Sequence, residues 1–201
     1  MSHYYKYIIP MVIIKLSIFF IISCNADDFD QKNDAMQFYV DTSLLSQSIN
    51  FSKSEITLRP PIDWTEVTGK DFIKAANTID SIDNLYPIKL VNLFSSEQTS
   101  ALMIFEINGD YTNFDYLPPD FSALLESQFS IDYVPFDNFN IGNVPVRQYV
   151  INAPEVIIFK LFTSGKTNYE IDYIIPRSEY EKELKKIESS IGSINRKQKG
   201  D

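Results

Sequence analysis

Two residue types that carry much of enzyme chemistry are almost missing from this 201-residue chain: it has one cysteine, Cys24, and one histidine, His3. Past Cys24 there is no imidazole and no second thiol. That excludes Ser-His-Asp and Cys-His catalysis, His-ligated zinc and thiolate metal sites from the segment that follows. It also excludes a disulfide framework. Glycine is scarce, at six residues, and no glycine-rich phosphate loop is present. The apolar run Leu16–Ile22 is too short for a bilayer crossing, which needs about 20 residues. Basic runs are lacking too. All 27 acids lie after Cys24 and two of the 18 bases, Lys6 and Lys15, lie before it, so the chain from Cys24 onward carries a formal −11. Such an acidic domain is a poor candidate for nucleic acid or for anionic lipid surfaces.

What is present begins with an address. Lys6 and Lys15 lead into Leu16-Ser17-Ile18-Phe19-Phe20-Ile21-Ile22-Ser23-Cys24, a positive start, an apolar middle and a small residue at the exit. Ile21-Ile22-Ser23-Cys24 resembles the lipobox of bacterial lipoproteins. That resemblance implies a signal peptide over 1–23, cleavage before Cys24, and lipid attached to the Cys24 sulfur. It places the protein in the bacterial outer membrane; whether it faces the periplasm or the cell surface stays open. Two or three acyl chains hold a protein stably, since each buried methylene adds about 0.8 kcal/mol. Residues 24–35 then read as lipidated cysteine plus acidic tether.

The rest, 36–192, reads as one α+β domain, with 193–201 as a flexible tail. Met36, Phe38 and Val40 alternate with polar residues, a strand pattern over 36–50. Ile56 and Leu58 share a strand face ended by Pro60-Pro61, and Trp64 plugs the core edge. Residues 71–80 read as a helix capped by Asp71, with Phe72, Ala75, Ala76 and Ile79 inward. Strands follow at 88–94 and 100–107, and a second helix at 120–129 capped by Asp120. Strands at 144–151, 156–162 and 169–175 are joined by turns. In the last of them Tyr169, Ile171, Tyr173 and Ile175 share a face, with Glu170 and Asp172 opposite. The closing helix carries a capping box, Ser178-x-x-Glu181, the stripe Tyr180, Leu184, Ile187 and Ile191, and Gly192 as its stop.

This element order, with Leu58-Arg59-Pro60-Pro61-Ile62-Asp63-Trp64 and the closing run from Tyr169 to Ile191, resembles the PsbP-like fold. That family covers a photosystem II extrinsic protein, a Ran-binding import factor and bacterial envelope lipoproteins of the DcrB type. The resemblance implies an antiparallel sheet flanked by helices and a non-catalytic binding role; from the residues themselves no cofactor and no metal is expected. It transfers no site residue.

Two aromatic and acidic loops, 111–119 and 131–141, are the candidate contact surface, through Tyr111, Phe114, Tyr116, Tyr133, Phe136 and Phe139. The competing reading folds these rings over a sheet face. The partner expected is an envelope or extracellular protein. Asp110, Asp115, Asp120, Asp132 and Asp137 allow an alternative, a carboxylate-based glycan hydrolase. A third reading is an inhibitor or immunity-type lipoprotein using its acidic surface. Arg147 and Lys160 stand among apolar strand residues and are expected on an outward face.

Overall fold

The computed structural model describes residues 38–51, 55–81, 85–97, 99–109, 111 and 113–196. They belong to one unit, bounded at Asn33 and Asp201. The expected signal peptide (1–23), the expected tether and Cys24 lie outside the described residues, as does the expected tail from 197. No helix among the described residues is long and apolar enough to cross a membrane.

Runs rich in Ile, Val, Phe and Tyr, punctuated by short turns, form a seven-stranded antiparallel sheet. Its strands are β3 (Thr65–Glu66), β4 (Ile88–Ser95), β5 (Ala101–Ile107), β6 (Phe136–Ile141), β7 (Val144–Asn152), β8 (Val156–Thr163) and β9 (Asn168–Pro176), in spatial order β3-β4-β5-β9-β8-β7-β6. After β5 the chain crosses to the far edge and returns as a four-stranded meander, so that β9 closes beside β5. A smaller sheet joins β1 (Ile49–Asn50), β2 (Ile56–Leu58) and β10 (Asn195–Arg196), in order β1-β2-β10. Among the described residues three α-helices accompany the sheets: α1 (Gly69–Asp80), α2 (Phe121–Phe129) and α3 (Tyr180–Gly192).

The large sheet is covered on both faces. On one, α3 and the small sheet bury Ile104, Leu161, Ile171 and Tyr173 against Ile187, Ile191, Ile56 and Leu58. On the other, Phe72, Ala75, Ala76 and Ile79 of α1 pack on Leu90, Leu93 and Phe105. There too α2 sets Phe121 and Leu125 on Tyr149, Ile158 and Phe162. Leu90 and Leu93 differ in parity yet share a face, because the β4–β5 register steps at Val91 between Leu90 and Asn92.

The polar side of α3 ties down the segment Arg59–Trp64 and bonds to β9. Trp64 Nε1 donates to Glu183 Oε2 at 3.0 Å, and Lys186 Nζ donates to Glu183 Oε1 at 3.1 Å and to Asp63 Oδ2 at 2.6 Å. Tyr173 Oη and Ser190 Oγ are 2.8 Å apart, and Ser190 Oγ donates to the Arg59 carbonyl at 2.7 Å.

Several local expectations are corrected. Among the described residues 38–50 there is a 3₁₀ turn at Thr42–Leu44 and a two-residue strand, because Phe38 is used as a plug, its ring 5.8 Å from Phe139. Gly69, at φ +63°, starts α1 two residues early, which moves Asp71 from cap to first turn, where it still meets the positive helix end. Asp120 flanks α2 without a capping hydrogen bond. Ser178 lies in a 3₁₀ turn, Arg177–Glu179, so the capping box does not form at α3. Gly192 is the last residue of α3, as expected, but it also serves close packing, since a Cβ there would stand 2.5 Å from Phe38 Cβ. The tail expected from 193 is built into the fold as far as Arg196, with Ile194 buried and Asn195 and Arg196 paired to β2. The stretch 136–141, expected as loop, is edge strand β6.

Candidate functional site

Strand register sets two rows of side chains across the α2-covered face. Direct partners in antiparallel strands share a face. One row reads Phe136–Tyr149–Lys160–Asp172–Met103–Leu93, the next Asn138–Arg147–Phe162–Glu170–Phe105–Leu90. Charged residues thus sit in the middle of a covered sheet face.

At the centre, Lys160 is held by two carboxylates. Its ammonium donates to Asp172 Oδ2 at 2.6 Å and to Glu170 Oε1. The Lys160, Glu170 and Asp172 side chains keep 13%, 4% and 10% of their exposure, so the trio is nearly dry. Tyr86, on the segment entering β4, donates its hydroxyl to Glu170 Oε2 at 2.7 Å. Burial works against the Lys160 ammonium, but the charges of Asp172 and then Glu170 outweigh it and hold its pKa above the usual lysine range. Burial pushes the Asp172 carboxyl up; Lys160 pulls the other way, and the neighbouring Glu170 charge adds to the rise. Burial, then Glu170, raises the Tyr86 phenol, which therefore stays a neutral donor.

The trio floors a groove of about 380 Å³ between Leu85–Ile88 and α2, with Phe121, Leu125, Phe129, Ile158 and Ile174 among its walls. Lys160 was expected on an outward face. It is buried because the crossover after β5 lays α2 over β7 and β8. Its signal was legible as hairpin arithmetic: the turn between β8 and β9 sets Lys160 opposite Asp172.

The six aromatic candidates divide. Tyr133 and Phe136 are exposed, at 71% and 50%. Phe136 stacks on Tyr149, centroids 5.5 Å apart, and the Arg147 guanidinium lies 4.8 Å from the Phe114 ring and 5.8 Å from Phe136. Arg147 Nε also donates to Asn138 Oδ1 at 2.8 Å. Tyr111 and Phe114 are half-buried. Tyr116 and Phe139 are core residues, which corrects their reading as contact residues. Tyr116 packs on Tyr86 and Phe162. Phe139 is three residues from Phe136 in one strand, so it faces the opposite side and joins the α3 core.

Asp115, Asp120, Asp132 and Asp137 are exposed, and Asp110 lies outside the described residues. No group of three or more His, Cys, Asp or Glu suited to a metal ion occurs among the described residues.

Fold and site together define an α+β domain whose antiparallel sheet buries a charged trio under one helix and presents aromatic rings at one edge. No protein-family model and no curated protein matches the chain. Among solved structures it is similar to the solution structure of cyanobacterial PsbP (CyanoP) from Synechocystis sp. PCC 6803, at 11% identity and a TM-score of 0.46, covering 75% of this chain and 92% of that one.

Proposed function

We propose that this is a lipid-anchored protein of the bacterial outer membrane that binds another envelope or extracellular protein and is not an enzyme. The anchor reading rests on Ser23-Cys24, the chain's only cysteine placed at the exit of an apolar leader. The binding reading rests on one observation, the exposed rings of Tyr133 and Phe136, the latter beside Arg147. Aromatic and arginine side chains are enriched at interfaces and carry a large share of their energy. Stacking on Tyr149 holds Phe136 in place before binding, which lowers the entropy lost on association.

The test is purification of the native lipidated chain in mild detergent, with copurifying proteins identified and then challenged by Tyr133→Ala with Phe136→Ala. A stoichiometric partner lost from the double variant supports the reading; a partner retained unchanged refutes the edge as its site. Separately, Cys24→Ser should leave the membrane fraction or stall in processing. If it fractionates as wild type, the anchor is refuted.

A further inference from the structure

The groove under α2 is distinct from the aromatic edge, and its chemistry points to a different kind of ligand. Of the four carboxylate oxygens on Glu170 and Asp172, three are engaged: Glu170 Oε1 and Asp172 Oδ2 by Lys160, Glu170 Oε2 by Tyr86. The fourth, Asp172 Oδ1, is buried without a hydrogen-bond partner. Asp172 is only 7% exposed, and what remains of it lines the groove. A buried carboxylate oxygen left unpaired is a costly arrangement, so such atoms call for an explanation. The carboxylate torsion is a broad two-fold well, so one oxygen can turn to the groove while the other holds Lys160.

The trio sets two carboxyl groups against one ammonium, in walls that are mostly hydrocarbon, with Gln128 and Tyr86 as the other polar residues. An anion would meet two carboxylates. A guanidinium needs two acceptor oxygens side by side for its planar fork, and one is open. A hard divalent cation asks for six or more oxygens, and here the Lys160 ammonium already occupies the point between the acids. An ammonium is a compact point charge that one carboxylate oxygen can accept, and the apolar walls suit an alkyl chain behind it. The volume, about 380 Å³, lies in the range of small-molecule sites, roughly 300–1,000 Å³.

We propose that the groove between Leu85–Ile88 and α2 binds a small aliphatic amine, its ammonium on Asp172 and its chain along Ile88, Phe121, Phe129, Ile158 and Ile174. The test is titration of the full lipidated chain in detergent with n-hexylamine, n-hexanol and n-hexanoate, followed by calorimetry and by NMR. Hexylamine should saturate, with shifts confined to groove residues, and bind at least about tenfold more tightly than the alcohol or the acid. Asp172→Asn should lose about that factor. A second measurement needs no variant: from propylamine to hexylamine, affinity should rise about fourfold per methylene, as burial of alkyl surface requires. The proposal is overturned by absence of saturable binding at about 10 mM amine, by hexanol binding as well as hexylamine, by an unchanged Asp172→Asn, or by affinity independent of chain length. Tighter binding of Nα-acetyl-lysine methylamide than of butylamine would assign the groove to a protein lysine and overturn the small amine.

Discussion

Lys160→Met removes the one cation from the buried trio while keeping most of the side chain's volume. Removing one partner of a buried ion pair costs about 3–5 kcal/mol, because the other charge is left in low dielectric. Here two carboxylates are left, with side chains 4% and 10% exposed. Tyr86 still donates to Glu170, and one carboxyl can take up a proton, so the lower end of the range applies, about 3 kcal/mol. For a domain of this size that corresponds to a fall in Tm of about 6–12 °C. Urea denaturation at pH 7 with a constant m-value measures it directly. Adding Asp172→Asn to Lys160→Met should restore part of the loss, and the two changes should couple by about 1 kcal/mol or more, since the residues touch. If Lys160→Met unfolds within about 1 kcal/mol of wild type, the ammonium is not what balances the acids and the electrostatic account of the groove is wrong.

Other expectations follow from single contacts. Because burial makes Asp172 titrate higher when folded, the folded state binds the extra proton; this contribution to stability is full below the unfolded carboxylate pKa of about 4 and drains away as pH rises through the higher folded value. Asp172→Asn should flatten that part of the stability profile, and an unchanged profile would contradict the assignment. Trp64→Phe removes the indole donor to Glu183 and should cost about 1.5–3 kcal/mol in denaturation. Gly192→Ala brings a methyl within 2.5 Å of Phe38 Cβ and should cost about 1–3 kcal/mol; a neutral result would mean the Phe38–Val40 segment yields. Tyr133→Ala, by contrast, should leave Tm unchanged within about 1 °C, since the ring is 71% exposed.

Strand and helix positions were legible in the sequence wherever periodicity met turn chemistry, as from Ile88 to Ile107 and from Val144 to Ile191. Helix starts were less legible, because Gly69 and the Arg177–Glu179 turn place α1 and α3 by backbone conformation, which side-chain capping rules do not register. The larger miss is the covered second face. Glu170 and Asp172 alternate with Tyr169, Ile171 and Tyr173, and alternation ordinarily means one dry face and one wet. Whether the polar side is wet depends on where a distant helix lies. Only the crossover from β5 to the β6 edge decides that α2 comes to rest there, and no local pattern encodes it. For the same reason six aromatics that looked equivalent separated into edge, wall and core.

Stability gives no reason for the trio itself. Replacing a buried ion network by apolar side chains of similar volume is often neutral or stabilising by about 1–4 kcal/mol, and the surrounding residues, Phe162, Ile158, Leu125 and Phe105, already form a hydrocarbon setting. A variant with Lys160→Met, Glu170→Leu, Asp172→Leu and Tyr86→Phe, the last because Glu170 is the acceptor of the buried Tyr86 hydroxyl, should therefore equal or exceed wild-type stability, unlike Lys160→Met alone. If it does, the charges are retained at no benefit to folding, and what they offer is a carboxyl group on the wall of a groove. Loss of amine binding in that stable variant would then separate the two roles: the fold would stand without the trio, and the groove's chemistry would not.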